Sequence, residues 1–462
     1  VCPLQISAFT VFVITGTTQT DITSSFSTSV FQSGQVPNIA ANSADQIYLI
    51  QGTITSDGEI NTGEANYILN GTLLHGLTNQ IAWVPLSNAC SGATTRESRL
   101  PSALNCFNVE NTNSNTASSY YQNDKIHTGS IRQLIQGIGN SSNWTNSSDR
   151  YTVDISSSAT DRAGKSFVVN AGNEPGTWVA SSDTNWFNCS NWENLVVPDK
   201  ETDVYINTIS STVNNEINFN ATDATLYNAT ATCKNLYING RKLILTGNQL
   251  DKIEVYGNLV IDGTGELDMS DQNNTTTDGQ LYLYGNWTNN LGETSFKQGN
   301  STVHLMGSTT QNVTCVGTEV EKFYHLFINN DLTTDNFEDK LIAEGNLTIN
   351  SNKTFTAQAG DVVQVSNQLI TTGASVTFEN NSSLIQTNNI NNEGEINYKR
   401  IAEGIKGYDY VYWSSPVTGQ DISTIYTNNP IVPQGPKYIW NPTESNTNGG
   451  LGNWQAASGT MD

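Results

Sequence analysis

The side chains able to do chemistry are few and scattered. The four histidines, His75, His127, His304 and His325, stand alone in the sequence. No H-E-x-x-H, G-x-S-x-G, C-x-x-C or glycine-rich phosphate loop is present. Each histidine is therefore expected as a strand or turn residue and not as a ligand. The six cysteines are Cys2, Cys90, Cys106, Cys189, Cys233 and Cys315. None has zinc spacing, and an even, widely spaced set suits disulfides made in an oxidising compartment. The expected pairs are Cys90–Cys106, which closes a loop, and Cys189–Cys233. Cys2 and Cys315 have no obvious mates and read as free buried thiols. The densest carboxylate group is "IDGTGELDMSDQNNTTTDG", with Asp262, Glu266, Asp268, Asp271 and Asp278. Carboxylates in a flexible Asn-rich loop are what Ca²⁺ takes as ligands. No cofactor is expected: a solvated turn is the favoured reading, since EF-hand spacing is absent, and calcium is the one ion this loop could take. A polysaccharide lyase would need a cationic base next to such a cluster. Arg241, Lys242, Lys252, Lys297, Lys322, Lys340 and Lys353 are not expected beside an acidic cluster at coil spacing. A glycosidase needs only two facing carboxylates. The reading adopted is non-enzymatic.

The 462 residues have room for roughly two to four domains. Only 14% of them are charged, yet the net charge is −23. A surface of that sign repels nucleic acid and anionic lipid, so neither is an expected partner. No apolar run is long enough for a membrane-spanning helix. The run Ile6–Ile14 lacks a basic flank and reads as a strand, not a signal peptide. The chain opens on Val and reads as a processed or incomplete form. N-x-S/T sequons beginning at Asn70, Asn140, Asn143, Asn188, Asn286, Asn312 and Asn346, among others, follow from an Asn- and Thr-rich composition.

The elements are mostly short strands. Asp45–Thr55 alternates as a strand, and Asn70-Gly71 is a hairpin signal. One amphipathic helix is expected where Ile131, Leu134, Ile135 and Ile138 form one apolar stripe, with Thr128 or Ser130 as cap. It is expected to lie as a lid over a sandwich edge or end. Trp178, Trp186 and Trp192 come close together near a solenoid's start. They read as structural aromatics that cover its open first coil, with a sugar platform as the alternative. From about 200 to 395 one strand recurs: "NLYIN", "GNLVID", "GNWTN", "HLFIN" and "GNLTIN". Coils of roughly 20 to 30 residues with Gly and Asn at the turns suit a parallel β-helix. Alternating Leu, Ile and Val would point inward, and Asn at the corners would stack into ladders. A string of immunoglobulin-like sandwiches is the rival. In "YDYVYWSSPV", alternation puts Tyr408, Tyr410 and Tyr412 on one strand face and Val411 and Trp413 on the other. Packing on both faces is the expectation, and Trp413 joins the structural aromatics.

The fold expected is all-β in three parts. Residues 1–175 form a β-sandwich with one helix. Residues 176–395 form a β-solenoid with a Trp/Cys-rich N-terminal cap. Residues 396–462 begin a small aromatic β module that is incomplete.

Three stretches carry a resemblance. "SADQIYLIQGT", "SRLPSALNCFNVEN", "ASSYYQNDKIHTGSIRQLIQGI" and "SSNWT" in series resemble a β-sandwich domain of exported Bacteroidota surface proteins. "GTWVASSDTNWFNCSNWENLVVPDKETDVYIN" resembles the lead-in to extracellular β-solenoids of such proteins, which implies a Cys189–Cys233 bridge. "YDYVYWSSPV", "KYIWNP" and the closing "ASGTM" are similar to a module near the C-terminus of type IX secretion substrates. The resemblance implies an extracellular, cell-surface protein that meets its export machinery through a C-terminal signal outside this chain. It implies a structural stalk or adhesin, able to self-associate into a fibre or sheath or to hold a surface polysaccharide or host surface. The alternative is a carbohydrate-binding or carbohydrate-cleaving β-helix.

Overall fold

The structure, a computed structural model, describes residues 46–60, 64–78, 106, 118–121, 125–147, 168–170, 174–179, 184–207, 216–217, 230–245, 252–270, 279–316, 320–406, 409–412, 419–421, 438–456 and 460–461. Within these residues the chain is all-β apart from one α-helix and a few 3₁₀ turns.

Most strands are only two to four residues long and alternate half-buried with buried positions. Such a strand buries one side chain in two and cannot form a core alone. Its solution here is to stack in register on copies of itself. Ala231 sits on Ile253, Ile253 on Leu281, Leu281 on Val303 and Val303 on Leu326. All five are essentially inaccessible to solvent. Each Leu, Ile or Val buried this way is worth roughly 1.5–3 kcal/mol. Every neighbour in these stacks is parallel, which rules out a string of antiparallel sandwiches over residues 230–398. The result is a parallel β-solenoid of about seven turns.

Three faces make up each turn. The first is an unbroken seven-stranded sheet from Thr230–Cys233 to Leu369–Ile370. The second runs as six strands from Gly176–Thr177 to Val313–Cys315, then as four from Leu332–Thr333 to Asn397–Tyr398. The third has four strands ending at Phe296–Lys297 and four more starting at Lys322–Phe323. Two faces therefore break at mid-solenoid while the first passes through. At the break a 3₁₀ turn, Thr334–Phe337, packs on strand Val313–Cys315, and the Cys315 amide donates to Glu338.

Asparagines do stack at a coil corner. Asn235 donates to Asp203, and its own Oδ1 accepts from the Asn258 amide at 2.7 Å. Asn258 then accepts from the Asn286 amide and Asn286 from that of Asn312, each at 2.9 Å. The side-chain amide of Asn336 donates to Asn312 and carries the ladder across the break.

Upstream, Gln46–Ile60 and Glu64–Thr78 pair antiparallel, and the chain reverses between Ile60 and Glu64. Asn70-Gly71 is not the turn. Gly71 lies inside the second strand opposite Gly52, since the pairing register closes at Ile60 opposite Glu64. The helix Ile131–Gly139 forms as expected, with Ser130 and Gln133 in a reciprocal capping box. The chain resolves into two compact units, residues 1–399 and 400–462. The second unit contains the hairpin Tyr438–Ser445/Leu451–Ala456 and the short pair Gln420–Asp421/Thr460–Met461.

Candidate functional site

The N-terminal end of the solenoid is built from one local motif used twice. In both Asn140–Trp144 and Asn188–Trp192 the sequence reads N-x-S-N-W. The first Asn accepts from the amide two residues on, at 3.0 Å in each copy. The second Asn donates back to a carbonyl six residues earlier, Asn143 to Gly137 and Asn191 to Asn185. The indole N–H does the same, Trp144 to Ile138 and Trp192 to Trp186. Three side chains thus satisfy the backbone of one tight turn and fix the ring's direction. In the second copy the ring points inward. Trp178, Trp186 and Trp192 are all fully buried and meet edge to face, with centroids 5.0 and 4.8 Å apart. They are packing groups, with no face open to a sugar. Gly176 admits the chain here, since a Cβ would lie 2.0 Å from the Asp203 carbonyl oxygen.

The helix docks on this cap. The Arg132 guanidinium donates to the Trp192 carbonyl at 2.9 Å and the Ser190 carbonyl at 2.6 Å. Its backbone N–H donates to buried Glu193. A disulfide joins Cys106 to Cys189, with Cα atoms 5.8 Å apart. The expected pairing of Cys189 with Cys233 is therefore incorrect, and so is that of Cys106 with Cys90. Cys233 ends a strand whose alternation turns its sulfur into the core, where it packs as a free thiol. Burial also pushes that thiol far above its ordinary range. Cys315 is likewise buried and forms no disulfide among the described residues. Cys90 and Cys2 lie outside the described residues. These contacts join residues on both sides of position 175.

The acidic cluster weighed as a calcium site pairs with lysines. Asp268 is completely buried and pairs with Lys242 at 2.7 Å. Glu266 lies between Lys242, at 3.4 Å, and Lys297, at 2.8 Å. Lys242 stands in register with Glu266 on the next coil, and Asp268 with Lys297 on the one after. Lysines do lie beside this cluster at coil spacing, contrary to expectation. They supply the positive charge that a metal would. Burial pushes the Asp268 carboxyl up, but hydrogen bonds from Lys242 and Ser270 outweigh it and leave the group below its usual range. Asp262 caps the Gly263 amide, and Asp271 and Asp278 lie outside the described residues. Among the described residues, the carboxylates that converge are Asp335, Asp339 and Asp361, whose oxygens lie within 4.8 Å of one another. They come from successive turns and no spacing rule joins them. Asp361 already accepts from Thr334, and Asp335 from Gln358.

A buried polar centre at the break went unread in the sequence. Glu321 is 5% exposed. One of its oxygens accepts from the Trp287 indole at 2.7 Å and the Asn289 amide at 2.8 Å. Nearby Lys322 is directed to Glu293 on the surface. Burial pushes the Glu321 carboxyl up to about 7, against the pull of the Asn289 and Trp287 hydrogen bonds.

Besides the half-buried pairs Tyr205–Tyr237 and Tyr324–His325, two larger sets of aromatic rings lie outside the core among the described residues. Along the seven-stranded sheet, Tyr282, His304 and Phe327 occupy one outward column, stacked at 4.1 and 4.7 Å. Tyr256 and Tyr284 stack beside it at 4.9 Å. The Tyr256 hydroxyl donates to Glu254 and that of Tyr282 to Gln280. His304 is held in its neutral form, pushed down to about 4 by burial and by Lys252. His325 accepts from the Asn346 amide, and His127 bonds the Lys125 carbonyl. His75 lies in the second strand of the N-terminal hairpin, opposite Leu49. The second set belongs to residues 400–462. Trp440 and Trp454 face each other across the hairpin, 5.2 Å apart, and Tyr412 lies 5.8 Å from Trp454. Residues 409–412 are not a strand, and Tyr410 and Tyr412 are 75% exposed, so the expected packing on both faces is absent. Without strand pairing, alternation no longer directs side chains to opposite faces. Trp413 and Tyr408 lie outside the described residues.

Residues 309–462 match the model of a family described as a domain of unknown function, DUF8693. The matched stretch begins inside the solenoid, just ahead of the break, and runs through the aromatic hairpin. No curated protein and no solved structure matches the chain.

Proposed function

We propose that this chain is a non-enzymatic extracellular protein that acts as a stalk or adhesin at the surface of a Bacteroidota-like cell, exported by type IX secretion, with an N-terminal β-sandwich ahead of the solenoid. The observation that carries this reading is the solenoid itself, an unbroken seven-stranded parallel sheet closed at its N-terminal end by the tryptophan cap. Coils that bury their faces only against neighbours give a stiff, extendable body suited to holding something away from a surface. The Cys106–Cys189 bridge supports an oxidising destination. Immunogold labelling of intact cells tests the address. Label on the outer surface is the expected result, and protein confined to the cytosolic fraction with reduced cysteines overturns it. Self-assembly into a fibre or sheath belongs to the same reading. Negative-stain images should show filaments or laddered oligomers, and only monodisperse monomer at high concentration removes that part.

The second reading, a carbohydrate-binding protein, is favoured by the exposed rings at Tyr412, Trp440 and Trp454. The two readings meet if the stalk carries a sugar-binding surface.

A further inference from the structure

The two exterior ring sets differ in a way that separates scaffold from binding surface. In the solenoid ladder the planes lie within 4° for Tyr282 and His304 and within 1° for Tyr256 and Tyr284. Each ring covers the face of its neighbour, and the hydroxyls are spent on Glu254 and Gln280. Little is left for a ligand, so the ladder stabilises the coil stack. In the hairpin the planes are inclined at 61° and 46°, so edges meet faces and ring surface stays open. Trp440 is 48% exposed, Trp454 47% and Tyr412 75%. Among the described residues, neither indole N–H and no Tyr412 hydroxyl contact has a protein partner. The hairpin's geometry holds the rings in place. Gly452 adopts a φ of +103° and lies directly beneath Trp440, where a Cβ would come within 2.2 Å of the indole.

We infer that Tyr412, Trp440 and Trp454 form a binding shelf for a neutral glycan. This deepens the stalk-or-adhesin reading and rests on it for biological sense. The ligand must offer apolar C–H surface to the open ring faces and oxygen acceptors to the unpaired indole and phenol donors. A sugar ring carries both on one small unit. Ring contacts among the three involve no cation, and the chain bears a net charge of −23, which disfavours an anionic polymer. Half-buried Asn441 and Gln455, joined at 3.4 Å on the opposite hairpin face, brace the strand pair.

The test is a pull-down and affinity-electrophoresis panel of the full chain against neutral glucans, mannans, xylans and chitin, with pectate and alginate as anionic controls. Retention by at least one neutral polysaccharide is expected. Trp454→Ala and Tyr412→Ala should each weaken it by roughly tenfold. Tyr412 is so exposed that its removal leaves folding intact, and the melting temperature of Y412A checks this. Glycan binding that is unchanged in both variants overturns the inference, as does retention only by the anionic controls or by none. A shift in oligomeric state in the variants would assign the rings to a protein contact and also overturn it. Failure here leaves the surface address, judged by immunogold, untouched.

Discussion

Glu321 shows what a single residue does in a solenoid core. It is a carboxyl with hydrogen-bond donors around it, buried at the level where two of three faces break. Its folded-state pKa of about 7 lies above the ordinary 4.5. Between those values the folded chain holds a proton that the unfolded chain has released. Folding is therefore favoured as pH falls from about 7 towards 4.5, and this contribution is lost as pH rises through 7. It amounts to about 3 kcal/mol at most. His304 acts in the opposite sense. Its folded pKa of about 4 means that acid below 6.5 works against folding. The wild-type profile mixes the two, so the informative quantity is its difference from Glu321→Gln. That difference should be nearly flat below pH 4.5 and should move in favour of E321Q between pH 5 and 8. Urea titrations at four pH values measure it. Lys242 is the second residue-scale case. Lys242→Met strands buried Asp268 without its cation and should cost about 3–5 kcal/mol. Lys297→Met, at an exposed pair, should cost under about 1 kcal/mol.

At the scale of elements, the N-x-S-N-W turn is the unit that joins helix, disulfide and first coil. Trp192→Ala should destabilise the cap by about 3–5 kcal/mol. Asn188→Ala, which removes only the side-chain acceptor, should cost about 1 kcal/mol. Thermal melts rank the two. The bridge itself is checked by digestion without reductant, where one linked peptide pair containing Cys106 and Cys189 is expected. Iodoacetamide should reach Cys233 and Cys315 only after denaturation, because both thiols are buried. Much at this scale was legible in the sequence. The stripe through Leu134 and Ile135 and the Asn corner ladder follow from local patterning, and the cap was narrowed to Thr128 or Ser130, of which the fold uses Ser130. The helix's docking partner did not, since Arg132 meets Ser190 and Trp192 some 58 and 60 residues away.

For the solenoid as a whole, the seven-stranded sheet spans six strand intervals, about 29 Å along its axis. Stability in such an array is shared between neighbouring coils. Phe355→Ala, in the middle of the later coils, should cost about 3–5 kcal/mol and expose the adjacent turns first. Hydrogen exchange would then show protection falling in residues 332–378 before it falls in 230–261. The family match over 309–462 begins near the mid-solenoid break, where Asn312, Cys315 and Glu321 lie.

Short strands of alternating apolar residues, recurring with Asn and Gly at their ends, were enough by themselves to specify coils. A two-residue period decides which side chains face inward, and a recurrence near 22 residues, such as that from Thr230 to Lys252, decides what stacks on what. Those are local and one-dimensional facts. Pairings that cross coils or join separate segments are not. Whether Cys189 bonds Cys106 or Cys233, whether Asp268 meets a lysine or an ion, and whether Asp335, Asp339 and Asp361 converge all depend on which residues a closed turn brings opposite each other. Insertions such as the one between Lys252 and Gln280 shift that register without changing the strand pattern. The rings of "YDYVYWSSPV" show the same divide. Their types are plain in the sequence, but only the fold decides that Tyr410 and Tyr412 stand in solvent, because exposure depends on which elements pack around a residue.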